Sequence, residues 1–209
     1  MHYCLANDLP TLVWAANLAD LELHTSLSRK EKIERPTMMV FDLDPGAPAD
    51  IVQCCQVGLW LRDLLAKIKL KSFAKTSGSK GLQVYVPLNT GVTYDETKNL
   101  SRALAQHLEH DHADRVTSNM SKAVRKGKAF VDWSQNDEHK TTACVYSLRA
   151  KEEPTVSTPV TWSEVENCLK KKKSELLKFR SDQVLARVEK LGDLFEPVEK
   201  IKQKLPKKW

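Results

Sequence analysis

The amino-acid sequence predicts an α+β fold, and three observations carry that prediction. Strand-like segments come as hairpin-like pairs, most clearly over 71–88, "KSFAKTSGSKGLQVYVPL", where two apolar runs flank a Ser/Gly/Lys turn. Apolar residues recur at helical spacing over 48–68 and 94–112, between the strand segments. The strands and helices do not alternate one for one, so an antiparallel or mixed sheet flanked by helices is expected over a simple doubly wound sheet.

In order along the chain, residues 9–28 read as a helix to about Leu18, then an alternating strand with Leu21 and Leu23 against Glu22 and His24. Residues 36–44 are the first strong strand. The 48–68 helix carries Ile51, Cys54, Cys55, Leu61, Leu65 and Ile68. In the second strand of the hairpin, Leu82, Val84 and Val86 alternate with Gln83 and Tyr85. The 94–112 helix starts near Thr93 and contains Leu100, Leu104 and Leu108. "AFVDWSQND" (129–137) reads as a short buried strand running into a turn, and "TACVYSLRA" (142–150) as a further strand. Two helices follow over 161–179 and 181–204, with Thr161 or Ser163 and Ser181 as N-caps. Trp14, Trp60, Trp133 and Trp162 are expected in the core, with Trp133 the one placed beside a carboxylate.

Composition narrows the class. A hydrophobic fraction of 41% and a charged fraction of 29% describe an ordinary globular chain of one large or two small domains. No run of eighteen apolar residues offers a membrane span, and the N-terminus lacks the basic start of a signal peptide. Five cysteines without a C-x-x-C pair suit small core residues in a reducing, cytoplasmic setting. The net charge of +6 is uneven: residues 170–209 are strongly basic, and the rest is close to neutral. A second cluster, "KAVRKGK", places Lys122, Arg125, Lys126 and Lys128 together without an acid. These are candidate contacts to a nucleic-acid backbone, although a solvated surface has the same composition. H-x-x-H-x-H (His107, His110, His112) is a poor zinc candidate, because His112 does not share a helical face with both others.

The chemistry concentrates in three stretches. In "MMVFDLDPG" (38–46), Asp42 and Asp44 point to one face of a strand, about 6–7 Å apart, and each raises the other's cost of ionisation. Pro45 and Gly46 end the strand there, so a cation can reach the pair; a turn with locally bonded aspartates is the alternative. In "FVDWSQN", Asp132 sits in an apolar strand, where an unpaired carboxylate is costly and a shared metal ion would be a partner. Three such carboxylates suit hard divalent cations in phosphoryl transfer. In "KTSGSKG", Gly78 and Gly81 allow close backbone approach to an anion, Ser77 and Ser79 offer hydroxyls, and Lys80 adds charge. The spacing is not that of a Walker A loop, and a plain hairpin turn would look similar.

"VFDLDPG", "TSGSKGLQVYVPL", "FVDWSQND" and "YSLRA", in this order, resemble the primase-polymerase domains of non-homologous end-joining ligase D and their stand-alone relatives, in the archaeo-eukaryotic primase superfamily. The resemblance implies a primase-like catalytic core over 1–209 with a basic helical segment over 161–209. It implies that Asp42, Asp44 and Asp132 are catalytic, holding two Mn²⁺ or Mg²⁺ ions. It further implies that His24, Ser77, Lys80, Gly81, Gln135 and Arg149 contact an NTP or dNTP. The implied partners are primer-template DNA at gaps or break ends, a DNA ligase and an end-binding protein, in the cytoplasm at the nucleoid. Three departures stand out. Gln83 replaces a usual histidine, Ser26 a usual tryptophan, and the N-terminal portion that reads a downstream 5′-phosphate lies outside this chain. The competing expectations are a haloacid-dehalogenase-like phosphatase, which Gly46 argues against, and a non-catalytic DNA-binding remnant.

Overall fold

The computed structural model describes residues 4–206. In chain order the first half comprises α1 (Leu9–Asn17), β1 (His24–Thr25), β2 (Met38–Pro45), α2 (Ile51–Lys67), β3 (Phe73–Thr76), β4 (Leu82–Pro87) and α3 (Tyr94–Asp111). The second half comprises β5 (Val116–Thr117), β6 (Ala129–Asp132), β7 (Thr142–Ala143), β8 (Pro159–Val160), α4 (Trp162–Lys171), α5 (Ser181–Leu191) and α6 (Glu196–Lys200). Six strands form a mixed sheet in the order β5-β6-β2-β4-β3-β8, in which β5 and β6 are parallel and every other pair antiparallel. β1 and β7 form a separate two-stranded ribbon. The expected α+β class with a mixed sheet is what forms.

The period-2 alternation of β2 decides how the sheet is covered. Met39, Phe41 and Leu43 point into the main core with α2 and α3, through Cys54, Leu61, Leu65, Leu100 and Leu104. Each such side chain contributes about 1.5–3 kcal/mol on burial. Val40 points the other way, into a smaller core with Leu27, Tyr85, Tyr94, Phe195 and Val198. Asp42 and Asp44 continue the Val40 face, beyond the members of that smaller core. A one-residue slip of β2 would drive both carboxylates into the main core, so the apolar pattern itself aims them outward.

The helix starts follow local chemistry. Asp50 with Gln53, Thr93 with Glu96 and Thr161 with Glu164 form capping boxes at α2, α3 and α4. Ser181, expected as a cap, is instead the first residue of α5, and Arg180 stands in the cap position. The two long C-terminal helices are broken. α4 ends at Lys172 (φ 52), a 3-10 turn spans Ser174–Leu177, and Gly192 (φ 72) stops α5 before the short α6.

Other expectations are also corrected. The 142–150 strand shortens to two residues, because the chain turns at Ser147, whose N–H bonds to Cys144, and Tyr146 has a φ of 64. Residues 21–23 are not a strand. Trp14 is 55% exposed, because only Ala15 of α1 is buried. Trp60, Trp133 and Trp162 do pack against the main core. The two-residue strands β5 and β8 went unforeseen. Cys54, Cys55 and Cys168 are core residues, but Cys4 is exposed and Cys144 half-buried; all five are free thiols. Lys207 and Lys208 of the basic C-terminus lie outside the described residues. No helix among the described residues is long and apolar enough to cross a membrane.

Candidate active site

Four polar residues form one row across the sheet. Lys75 on β3 faces Gln83 on β4, Gln83 faces Asp42 on β2, and Asp42 faces Asp132 on β6. Directly opposed residues share a face, so like charges at Asp42 and Asp132 repel. Asp44 lies one pleat further along β2 on the same face, opposite Phe130. Burial pushes the Asp42 carboxyl up to about 7; Asp44 and Asp132 add to the rise, while Gln83 and Lys75 oppose it. Asp44, at the open end of the strand, is pushed up by desolvation and by Asp132, against Arg125, Arg149 and Lys80.

Asp42 and Asp44 fit a hard divalent cation. Asp42 Oδ1 is buried with no hydrogen-bond partner, an expensive arrangement that an oxygen-seeking ion relieves. Asp132 differs from expectation, because local donors already serve it. Its Oδ1 accepts from the Ser134 N–H (2.9 Å) and hydroxyl (2.7 Å), and its Oδ2 accepts from Gln135 Nε2 (2.9 Å). Among the described residues, no group of three His, Cys, Asp or Glu side chains converges closely enough to hold an ion. From the described residues, Asp132 Oδ2 accepts only the Gln135 bond, so it keeps lone-pair capacity for a further partner.

The glycine turn abuts this row. A side chain at Gly81 would put its Cβ 2.3 Å from the Leu43 carbonyl oxygen and 3.4 Å from Asp44 Oδ1. Gly78 has a φ of +67, and a Cβ there would lie 2.7 Å from the Ser157 nitrogen. Ser77 folds the turn from within, its hydroxyl accepting from the N–H groups of Ser79 and Gly81. Lys80 is exposed. It also lines a cavity of about 780 Å³ that the turn shares with Asp50, Lys151, Thr155, Lys178 and Phe179. None of the three aspartates lines that cavity.

His24, Arg149 and the turn are joined through a residue that the sequence left unmarked. Glu22 accepts from His24 Nε2 at 3.0 Å, pairs with Arg149 Nη2 at 3.0 Å and accepts from the Ala150 N–H. The His24 hydrogen bond, chiefly, pulls the Glu22 carboxyl down to about 2. Arg149 also donates to the Ser77 carbonyl at 2.7 Å. Arg149 thus adjoins the glycine turn as expected, but on an irregular segment and not on a strand. Gln135 is turned to Asp132. Ser26 bonds to Ser28 and Tyr94, and Gln83 accepts from the Tyr85 hydroxyl at 3.2 Å.

Two more residues escaped the sequence reading. Lys75 is fully buried, and burial pulls its ammonium down to about 7 against the pull of Asp42. Asn136, also fully buried, completes the ladder beyond β6: it accepts from the Val40 N–H (2.9 Å) and donates to the Val40 carbonyl (2.7 Å). The signal for Asn136 was present, since an amide closing "VDWSQN" is a natural turn residue.

The basic cluster splits. Lys122 and Lys126 are exposed. Arg125 stacks 3.6 Å above the Phe130 ring and donates to the Met120 carbonyl, so it braces the loop. The Lys128 carbonyl accepts from Gly46, and Gly127 donates to the Gly46 carbonyl, pinning this loop to the end of β2. His112 stacks on Trp60 at 3.6 Å, and the histidine run forms no cluster among the described residues.

The structure thus brings opposed carboxylates together beside a glycine turn bordered by Lys80 and Arg149. The family model described as the LigD primase-polymerase domain matches residues 1–195. The multifunctional non-homologous end joining protein LigD of Mycolicibacterium smegmatis is 40% identical over 199 residues, covering 94% of this chain and 25% of that protein. The bifunctional LigD of Bacillus subtilis is 32% identical over 216 residues, covering 99% of this chain and 34% of that protein. Among solved structures, the polymerase domain of Mycobacterium tuberculosis ligase D in complex with DNA superposes with a TM-score of 0.81 at 40% identity. That match covers 92% of this chain and 68% of the solved one. The chain belongs to the LigD primase-polymerase domain family. It spans about a quarter and about a third of the length of these two LigD relatives, respectively.

Proposed function

We propose that this chain is a template-directed nucleotidyltransferase that adds nucleotides to a primer 3′-hydroxyl during double-strand break repair by end joining. The observation that carries the reading is the pairing of Asp42 with Asp132 in register, with Asp44 beside the glycine turn. Asp42, Asp44 and Asp132 would hold two Mn²⁺ or Mg²⁺ ions, which acidify the attacking hydroxyl and neutralise charge on the phosphates when bound. Lys80, Arg149 and His24 meet the triphosphate as charged or hydrogen-bonding donors, Arg149 and His24 in exchange for their contacts to Glu22. Ser77 shapes the turn, and Gly81 lets it approach Asp44. Gln135, which now donates to Asp132, would reach the nucleotide by giving up that bond. Lys122 and Lys126 meet the DNA backbone, and a ligase and an end-binding protein are the expected partners in the cytoplasm.

The family membership and a structural relative solved with DNA support this reading. Primer extension on a gapped duplex, with labelled nucleotides and each metal in turn, tests it. Templated, metal-dependent addition is expected. DNA binding with no incorporation under either metal would mark a binding module instead.

A further inference from the structure

Lys75 is a lysine with no surface exposure, yet no carboxylate among the described residues lies within 4 Å of its nitrogen. Burying such a group costs free energy unless its donors are used. Two of its three donors are used: Nζ donates to the Ser157 hydroxyl at 2.5 Å and to the Ala143 carbonyl at 3.0 Å. It also lies 5.5 Å from the Tyr85 ring centroid.

Both acceptors lead toward residues proposed to meet the nucleotide. Ala143 is the register partner of His24 in the β1–β7 ribbon. Ser157 accepts from the Tyr146 N–H and donates its own N–H to the Ser147 carbonyl, two residues before Arg149. Arg149 itself donates its N–H to the Thr155 carbonyl. The other end of Lys75 belongs to the row that runs through Gln83 to Asp42 and Asp132. A second strut runs parallel: the Tyr85 hydroxyl bonds to Gln83 and, at 3.1 Å, to Thr142 of the ribbon. Neither the ribbon nor the 144–158 segment has an extended ladder of its own, so these buried polar contacts add to a few backbone bonds, to Thr76, Leu23 and Phe179, in holding it.

We propose that Lys75 is a positioning residue: its side chain ties the β1–β7 ribbon and the 142–157 segment to the carboxylate row, fixing His24 and Arg149 relative to Asp42. This rests on the nucleotide role proposed above for His24 and Arg149. A residue that merely filled the core would affect the whole fold alike; a strut affects what it holds.

The test compares Lys75→Met, Arg149→Ala and the double variant. Amide hydrogen exchange is followed in the nucleotide-free protein, and nucleotide affinity by calorimetry. Lys75→Met is expected to speed exchange at Cys144, Tyr146 and Arg149 while Val40 and Val86 stay protected. It should weaken nucleotide binding about tenfold, ~1.4 kcal/mol, with little further loss in the double variant. Uniformly faster exchange, or nucleotide affinity unchanged in Lys75→Met but weakened in Arg149→Ala, overturns the proposal. If Arg149→Ala alone leaves affinity intact, the nucleotide reading fails, and the exchange pattern by itself decides whether Lys75 is a strut. Should Lys75→Met not fold, Ser157→Ala removes one acceptor and should give the same selective exchange, more weakly; unchanged exchange there overturns the proposal too.

Discussion

Asp42 and Arg149 are held by opposite kinds of backbone. Asp42 rides on the central pair of a six-stranded sheet, flanked by β4 and β6 and backed by the main core. Arg149 hangs from a segment with one isolated bridge, between Leu148 and Val156, and a handful of turn hydrogen bonds. The two regions also differ in what they lack. The carboxylates want a counter-charge, since Asp42 Oδ1 has no partner. Arg149 and His24 already have one, in Glu22. The contrast is one of backbone and not of complete satisfaction, since Arg149 Nε is itself buried without a partner and Asp132 on β6 is served by Ser134 and Gln135. A carboxylate cradle fixed by the sheet beside donors held on looser backbone suits a site in which a nucleotide trades places with internal contacts.

The comparison breaks most visibly at the carboxylates. Asp44→Ala or Asp132→Ala should lower primer extension about a hundredfold to a thousandfold, the scale of several kcal/mol of lost charge stabilisation. The double variant should lose little more than either single one, because the three groups act as a unit. Additive losses in single-turnover extension would mean that Asp132 works apart from the pair.

Next in size are the nucleotide contacts. Lys80→Ala or Arg149→Ala should weaken nucleotide affinity by about 2–3 kcal/mol, the worth of a charge-assisted hydrogen bond, and leave metal affinity without nucleotide nearly unchanged. Calorimetry with metal alone and then with nucleotide separates the two. Arg149 has the smaller expected loss of the pair, because it must first give up Glu22.

The sheet half of this comparison was legible in the sequence, and the loop half was not. Alternation in "MMVFDLDPG" and a hairpin around "TSGSKG" are period-2 signals that survive without tertiary context. Asp132 was legible as a carboxylate in an apolar strand, although its bonds to Ser134 and Gln135 were not. "TACVYSLRA" has the residue types of a strand, but tertiary contacts to Ser157 and Thr155 turn it into loops. Lys75 looks like a solvent-facing residue of an alternating strand; contacts to the ribbon at Ala143 and to Ser157, distant in sequence, accompany its burial. Glu22 was hidden for the same reason, its partner Arg149 being 127 positions away in sequence. Gly192 and the Pro197 that follows it are visible punctuation inside the helix expected over 181–204, and the chain breaks there.

The smallest expected effect concerns Lys122 and Lys126. If both meet DNA phosphates, replacing them with alanine should flatten the dependence of log affinity on log salt by about 0.9 per lost contact. Arg125→Ala should instead lower thermal stability, since its guanidinium lies on Phe130 and bonds to Met120. Binding isotherms at several salt concentrations, with melting curves for the three variants, would sharpen which part of the cluster faces the partner.

The central claim is that Asp42 is an ion ligand kept at a cost to the fold. Its folded carboxyl titrates near 7, above its ordinary value, chiefly through burial. Between about pH 4 and 7 the folded protein therefore holds a proton that the unfolded chain has released, so metal-free stability falls as pH rises through that window. Asp42→Asn removes the buried charge and keeps the shape. The most direct measurement is Mn²⁺ binding to the nucleotide-free protein at pH 7.5, with the metal-free melting temperature recorded alongside, for the unmodified chain and Asp42→Asn. The account predicts that Asp42→Asn melts at the same or a higher temperature and no longer binds Mn²⁺. Equal Mn²⁺ binding by both proteins, with Asp42→Asn folded, would contradict it.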